Sequence, residues 1–226
     1  QGLAVGDNQL WNLVTISQSI IDFNLFYRGG GLLIPLYLYP DEHKEDIFTT
    51  TEREYNIAPE LLDKFSSQWP QFQPEQLFYY VYAILHSNQY RERFAQYLRM
   101  DFPRIPFTAD FEMFSQLAGY GKELADIHLL KSPRLSTPIA KYQGSGSNDT
   151  VEFIKYDEHK RNVQINADKH FEGITPELWN YHIGGYQVLH KYLKDRKGKS
   201  LADPIHYCRM VTAMALTIDL QERIYK

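Results

Sequence analysis

Between Lys191 and Ser200 the chain reads KYLKDRKGKS, which ends in Gly-Lys-Ser and sets Lys191, Lys194, Arg196, Lys197 and Lys199 against the single acid Asp195. Two chemistries use such a stretch: a loop that wraps a nucleotide phosphate in backbone amides, or a cationic strip that neutralises the phosphates of a polyanion. The nucleotide loop needs a glycine at position 193 and a strand leading into it, whereas position 193 is leucine and the residues before it have helical spacing. Gly198 is then expected to end a helix. Metal chemistry fares no better. The eight histidines include no His-Glu-x-x-His pattern, and the one cysteine, Cys208, falls on an apolar stripe. The serines of QGSGSN lack the Gly-x-Ser-x-Gly elbow of a nucleophile. With no catalytic constellation, this chain is expected to be no enzyme and to need no cofactor or metal of its own.

What remains is binding chemistry. The chain has 17 tyrosines, many beside Arg, Lys, Asn or Gln, as in YRERFAQYLR, AKYQ, WNYHIGGYQ and HKYLK. Such groups can meet phosphates with charge and base edges with amides and guanidinium. The net charge of −4 excludes a uniformly basic coat, but the charge is uneven: residues 41–46, DEHKED, carry four acids against one lysine. This asymmetry can orient a polyanion. A single cysteine excludes a disulfide framework, and no apolar run long enough to span a membrane occurs, so a reducing cytoplasm is expected. The opening QGLAVGDNQLWNL has neither an initiator Met nor a leader, the mark of a piece of a longer polypeptide.

Several elements must position these groups. LWNLVTI and GLLIPLYLYP predict extended segments within the first 40 residues, with Pro35 confining the second to a sheet edge or bulge. Pro59 starts a short helix through Phe65, and Pro74 starts another with Leu77, Val81 and Ile84 on one face. Ser87 or Asn88 caps a third carrying Tyr90, Phe94 and Tyr97. MDFPRIPF is a non-helical crossing segment. A long helix from Thr108 follows, with Met113, Leu117, Tyr120, Leu124 and Ile127 as its core stripe, ending before Pro133. Residues 137–166 predict a small antiparallel β unit. A helix is then expected from His182 to Lys197, with Tyr186, Leu189 and Leu193 inward. The last helix starts at Asp203-Pro204 and turns Ile205, Cys208, Val211, Ala215 and Ile218 to the core. The fold class is therefore α+β: one helix-rich domain over 1–226, with possible sub-regions 1–132 and 133–226.

YVYAILHSNQYRERFAQYLRMDFPRIPF, FSQLAGYGKELADIHLL, LWNYHIGGYQVLHKYLKDRKGKSL and SIIDFNLF…PLYLYP together resemble, in order, the C-terminal part of Type ISP restriction-modification enzymes and related large N6-adenine DNA methyltransferases. The resemblance covers nearly the whole chain. It implies a parent with nuclease, helicase-like motor, methyltransferase and target-recognition parts that uses S-adenosylmethionine, ATP and Mg, and it identifies this chain with the last part. The methyltransferase Asn-Pro-Pro-Tyr motif is absent here. The implied partners are double-stranded DNA and the neighbouring methyltransferase and motor. Under that resemblance Lys191, Lys194, Arg196, Lys197 and Lys199 are expected at the DNA backbone. Ser17, Ser19, Asp22, Arg28, Lys141, Gln143, Arg161, Asn162, Gln164, Tyr186 and Gln187 are the candidates for base contact. The rival reading is a docking module between methyltransferase and motor, without base readout of its own.

Overall fold

The structure, a computed structural model, describes residues 11–22, 30–39 and 53–224. The acidic run 41–46 and Arg28 lie outside them. The fold class is α+β. A two-stranded ribbon pairs β1 (Tyr37–Leu38) with β2 (Glu54–Tyr55). Helices α1 (Pro59–Gln68), α2 (Pro74–His86), α3 (Asn88–Arg93), α4 (Ala95–Met100) and α5 (Phe111–His128) follow. A four-stranded antiparallel sheet has β3 (Lys141–Gly144), β4 (Lys155–Asp157), β5 (Asn162–Gln164) and β6 (Lys169–Glu172) in the order β3-β6-β5-β4. Then come α6 (Pro176–Trp179), a hairpin of β7 (His182–Ile183) and β8 (Tyr186–Gln187), α7 (Val188–Lys194) and α8 (Pro204–Arg223).

Local signals account for most boundaries. Proline stands at the start of α1, α2, α6 and α8, where its missing N–H has no intrahelical partner to lose. Ser87, Asp110, Thr175 and Asp203 cap α3, α5, α6 and α8 through side-chain oxygens that accept first-turn amides. The crossing segment between α4 and α5 is non-helical, and two buried tyrosines hold it: Tyr80 Oη donates to the Pro106 carbonyl at 2.8 Å and Tyr90 Oη to that of Arg104 at 2.9 Å. Pro35 stands just before a two-residue edge strand, as its ring requires.

Other expectations are corrected. The early segments form almost no sheet: residues 11–22 and 30–36 make no strand. The first helix runs on to Gln68. The third is two helices broken at Phe94, and Tyr97 is exposed. The β unit extends to Glu172, because β6 lies between β3 and β5. No helix starts at His182. Gly184 at φ +55 and Gly185 make a two-residue hairpin turn that pairs His182 with Gln187, and the helix waits until Val188. That helix stops at Lys194, so Gly198, at φ +79, serves the following loop instead. On α8, Ile205 is exposed, and Tyr207, Cys208, Val211 and Met214 are buried.

The core stripe of α5 is rotated from the one expected. Met113 is 53% exposed, and Phe114, Ala118, Gly121, Leu124, Ala125 and Ile127 are buried. Small residues set this face. A Cβ added at Gly121 would lie 1.8 Å from the Tyr79 carbonyl oxygen, so α2 and α5 pack at a distance that only glycine permits there. Around the contact, Phe65, Trp69, Phe72, Tyr80 and Phe114 form one aromatic cluster, with Tyr80 and Phe114 stacked at 4.8 Å.

A second core lies beneath the sheet, where Val163, Ile165 and Phe171 meet Leu189 and Leu193 of α7 and Tyr207, Cys208 and Val211 of α8. Between the two cores runs a buried polar chain. Tyr82 Oη donates to His128 Nδ1 at 2.6 Å, His128 Nε2 donates to Thr217 Oγ1 at 2.9 Å, and Thr217 donates to the Ala213 carbonyl at 2.7 Å. Because Thr217 gives its proton to Ala213, His128 Nε2 must carry a proton, and in the neutral ring that burial favours Nδ1 is then the acceptor for Tyr82. Burial, with the nearby Arg91 guanidinium, lowers His128 to about 4, and burial first, then Arg91 and His128, hold His86 well below the usual range.

Two predictions follow from these contacts. Gly121→Ala is expected to cost about 1–3 kcal/mol by overpacking, whereas Gly119→Ala, whose new methyl meets nothing within 4 Å, gains about 0.5–1 kcal/mol in helix propensity. Urea midpoints of the two variants should therefore move in opposite directions. The histidines set a pH dependence. Above about pH 6.5 they are neutral both folded and unfolded; as pH falls from there to about 4, the unfolded chain binds protons that the folded chain refuses. Stability should fall with pH across that window, by about 3 kcal/mol from His128 alone. Thermal melts at pH 7.5 and 4.5 check this, and His128→Asn should flatten the difference.

Candidate nucleic-acid interface

The sheet has one buried and one open face. Strand alternation sends Tyr142, Phe171, Val163 and Tyr156, which pair across the sheet, toward the core. Their neighbours therefore point outward in two rows. One row runs Gln143, His170, Gln164, Lys155, and the other Lys141, Glu172, Asn162, Asp157. Four expected base-contact residues, Lys141, Gln143, Asn162 and Gln164, thus share one surface. Arg161 lies beside them in the exposed β4–β5 turn, at φ +50. His170 and Lys155 complete a row that the sequence reading missed. The alternation in KHFE, with Phe171 buried between its neighbours, was the signal for β6.

The outward amides differ from those nearby. Asn166 is 1% exposed, and its Nδ2 donates to the Asn148 and Thr150 carbonyls while its Oδ1 accepts from the Asp168 and Lys169 amides. Asn12 holds the β7–β8 hairpin through the His182 carbonyl and the Gly184 amide, both at 2.7 Å. Gln187 donates to the Trp179 carbonyl at 2.6 Å. By contrast, the side chains of Gln143, Asn162 and Gln164 form no hydrogen bond with any described residue. In their rows the one internal polar link joins His170 Nε2 and Glu172 Oε1 at 3.0 Å.

The basic stretch is fastened to this same sheet unit. The Val151 amide donates to the Lys199 carbonyl at 3.0 Å, the Gly198 amide donates to the Val151 carbonyl at 2.8 Å, and the Leu201 amide donates to that of Asp149 at 3.0 Å. Val151 leads toward β4 through a bulged approach, in which the Glu152 and Phe153 amides both reach the Ile165 carbonyl. Within the strip, Lys191 pairs with Asp195, and Arg196 lies over the Tyr192 ring at 3.6 Å and donates to the Tyr192 carbonyl. Lys194, Lys197 and Lys199 are exposed and make no ion pair among the described residues.

The remaining candidates lie elsewhere. Ser17 and Ser19 close a local turn, in which Ser17 Oγ accepts the Ser19 amide at 3.0 Å, and Asp22 is exposed. Asn12, on the same segment, joins it to the hairpin that carries Tyr186 and Gln187. Tyr186 is partly exposed, with Lys191 Nζ 5.5 Å from its ring centre. Among the described residues no three His, Cys, Asp or Glu side chains gather as a metal site, and burial raises the Cys208 thiol to about 11. No described helix is long and apolar enough to cross a membrane.

Comparison with known proteins gives this geometry a family. No curated protein matches the chain. Among solved structures it is similar to the ATP-dependent Type ISP restriction-modification enzyme LlaBIII bound to DNA, with 25% identity and a TM-score of 0.66 over 90% of this chain. It spans only 14% of that protein's length. The fold is shared with the DrdV–DNA complex, at 23% identity and TM-score 0.63 over 84% of this chain and 21% of the other. It is shared also with a nuclease-deletion mutant of the Type ISP enzyme LlaGI in complex with a DNA substrate mimic, at 22% identity and TM-score 0.54 over 76% of this chain and 14% of the other. The model of the Type ISP C-terminal specificity domain matches residues 3–222, and the chain belongs to that family.

Proposed function

We propose that this chain reads an asymmetric sequence in double-stranded DNA and presents the target adenine to an N6-adenine methyltransferase in the same polypeptide. It serves there as the specificity part of a cytoplasmic restriction-modification enzyme. The observation that carries this reading is the stitching of the cationic loop to the sheet through Val151. A phosphate backbone gripped by Lys194, Lys197 and Lys199 lies beside an open polar face with unbonded amides, so positioning and reading come from one rigid unit. Methyl transfer, cleavage and ATP hydrolysis, with their S-adenosylmethionine, Mg and ATP, belong on this proposal to the methyltransferase, nuclease and motor parts. The target base must leave the stack to reach the methyltransferase. The similar Type ISP enzyme was captured on DNA, which supports the same partner here.

A docking module without base readout is the second reading. Exposed Tyr97, Met100, Phe102, Phe107 and Met113, on α4, α5 and the segment between them, favour it, since large apolar side chains in water mark contact surfaces.

Binding of a randomised duplex pool at two salt concentrations, with sequencing of the retained fraction, separates the readings. Target recognition predicts enrichment of one asymmetric motif. A docking module predicts none. Lys197→Glu with Lys199→Glu should weaken binding to all duplexes alike and make the plot of log affinity against log salt shallower by about two units. Unchanged binding by that variant would remove the strip from the DNA contact.

A further inference from the structure

We propose that the outward row Gln143, His170, Gln164 and Lys155 is the base-reading element, and that it lies along the major groove over about four consecutive base pairs. The proposal rests on the target-recognition reading and adds which surface does the reading, in which groove and over what length.

Charge separates this face from the strip. Across the two rows Lys141 and Lys155 are balanced by Asp157 and Glu172, so the face has no excess of positive charge with which to grip phosphates. The cationic loop supplies that. A neutral face with amides at its centre is matched instead to base edges, where Gln pairs with the N6 and N7 of adenine, Lys with the O6 and N7 of guanine, and a carboxylate with the N4 of cytosine. Neither row contains a large apolar side chain, so the face lacks the buried anchor of a protein–protein contact.

Dimensions choose the groove. Neighbouring strands are about 4.8 Å apart, so a row across four strands spans about 14 Å, or roughly four base pairs at about 3.4 Å each. The two rows are about 7 Å apart along the strands. That width exceeds a minor groove of about 6 Å and fits a major groove of about 12 Å, provided the strands cross the groove and the rows follow it. The row runs Gln, His, Gln, Lys and so differs when taken from its other end, which leaves it no symmetry to impose on the sequence that it reads.

Rigidity completes the argument. His170 is held by Glu172, and β6 and β5 are locked at their shared turn by Asn166. The free amide of Gln164 therefore projects from a strand locked at that turn, and that of Gln143 from a strand paired with β6 along all four of its residues, which lowers the entropy lost on contact.

The test uses the purified chain and its single variants Gln143→Ala, Gln164→Ala and Lys155→Met in selection from the randomised duplex pool, with thermal melts to confirm folding. Each variant should relax the motif at one position or at two adjacent positions and weaken binding to the enriched duplex roughly 5- to 150-fold. Binding to a scrambled duplex should stay within about twofold, because that binding reads phosphates. A duplex with 7-deazaadenine at a position relaxed by a Gln variant, or 7-deazaguanine at one relaxed by Lys155→Met, removes the N7 acceptor from the major groove; it should weaken the unmodified chain by a similar factor and the matching variant no further. If folded variants enrich the original motif unchanged, the row is not the reading element, and the target-recognition reading stands. If the unmodified chain retains duplex without enriching any motif, both proposals fall.

Discussion

The fold depends on α8 being buried on two sides. Ala213 and Leu220 pack with Tyr82, Leu124 and Ile127 of the helical half, while Tyr207, Cys208, Val211 and Met214 pack beneath the sheet. A helix enclosed on both sides has little room for unpaired polar groups; the hydroxyls of Thr212 and Thr217 are bonded, whereas the buried Tyr207 hydroxyl has no partner among the described residues. Thr212 donates to the Cys208 carbonyl and accepts the Ile139 amide, and Thr217 takes the end of the chain from Tyr82 and His128. The Ile139 bond matters beyond satisfaction. It ties the approach to β3 directly to α8, so the pitch of the open sheet face is set by the helix under it.

Polar links across the middle impose direction where apolar packing would tolerate sliding. Tyr82, His128 and Thr217 come from α2, α5 and α8, and their hydrogen bonds are satisfied in one order only. Arg91 raises the stakes. It is 4% exposed, its Nε donates to the Leu85 carbonyl at 2.6 Å, and it has no carboxylate partner among the described residues. Burial lowers it to about 10, and its remaining charge disfavours a second one on either histidine. The helical half is thereby held in one register against α8, at the cost of sensitivity to acid.

The legible part of the sequence was its punctuation. Proline at first turns and Ser, Thr or Asp before them mark where helices begin, because those positions answer to local sterics and capping alone. Faces answer to partners. On α5 the large residues Met113 and Leu117 drew the eye, but the line that meets α2 is Phe114, Ala118, Gly121 and Ala125, chosen by how near two backbones can come. The helical spacing around Leu189 also hid a Gly-Gly turn, and YQ became the second strand of a hairpin. For the candidate site, the sequence reading put Gln143 and Gln164 within one small antiparallel β unit. It could not say that β6 lies between their strands, since strand order is set by long-range pairing rather than by spacing. Nor does any local signal announce that Val151 binds the basic loop.

The acidic balance of the chain is consistent with the proposed division of labour. Two cations of the strip are engaged within the protein, Lys191 with Asp195 and Arg196 with Tyr192, which leaves Lys194, Lys197 and Lys199 as its unpaired charges. Few phosphate contacts mean weak binding to arbitrary duplex, because the sequence-independent part of affinity scales with the phosphates neutralised. Weak non-specific binding widens the ratio between the right site and the many wrong ones for the same set of base contacts. A specificity element tethered beside other DNA-binding parts would gain more from that ratio than from affinity of its own, since the tether raises its local concentration on the duplex. On the proposed reading, a neutral reading face next to a short cationic strip is therefore a better solution than a uniformly basic surface.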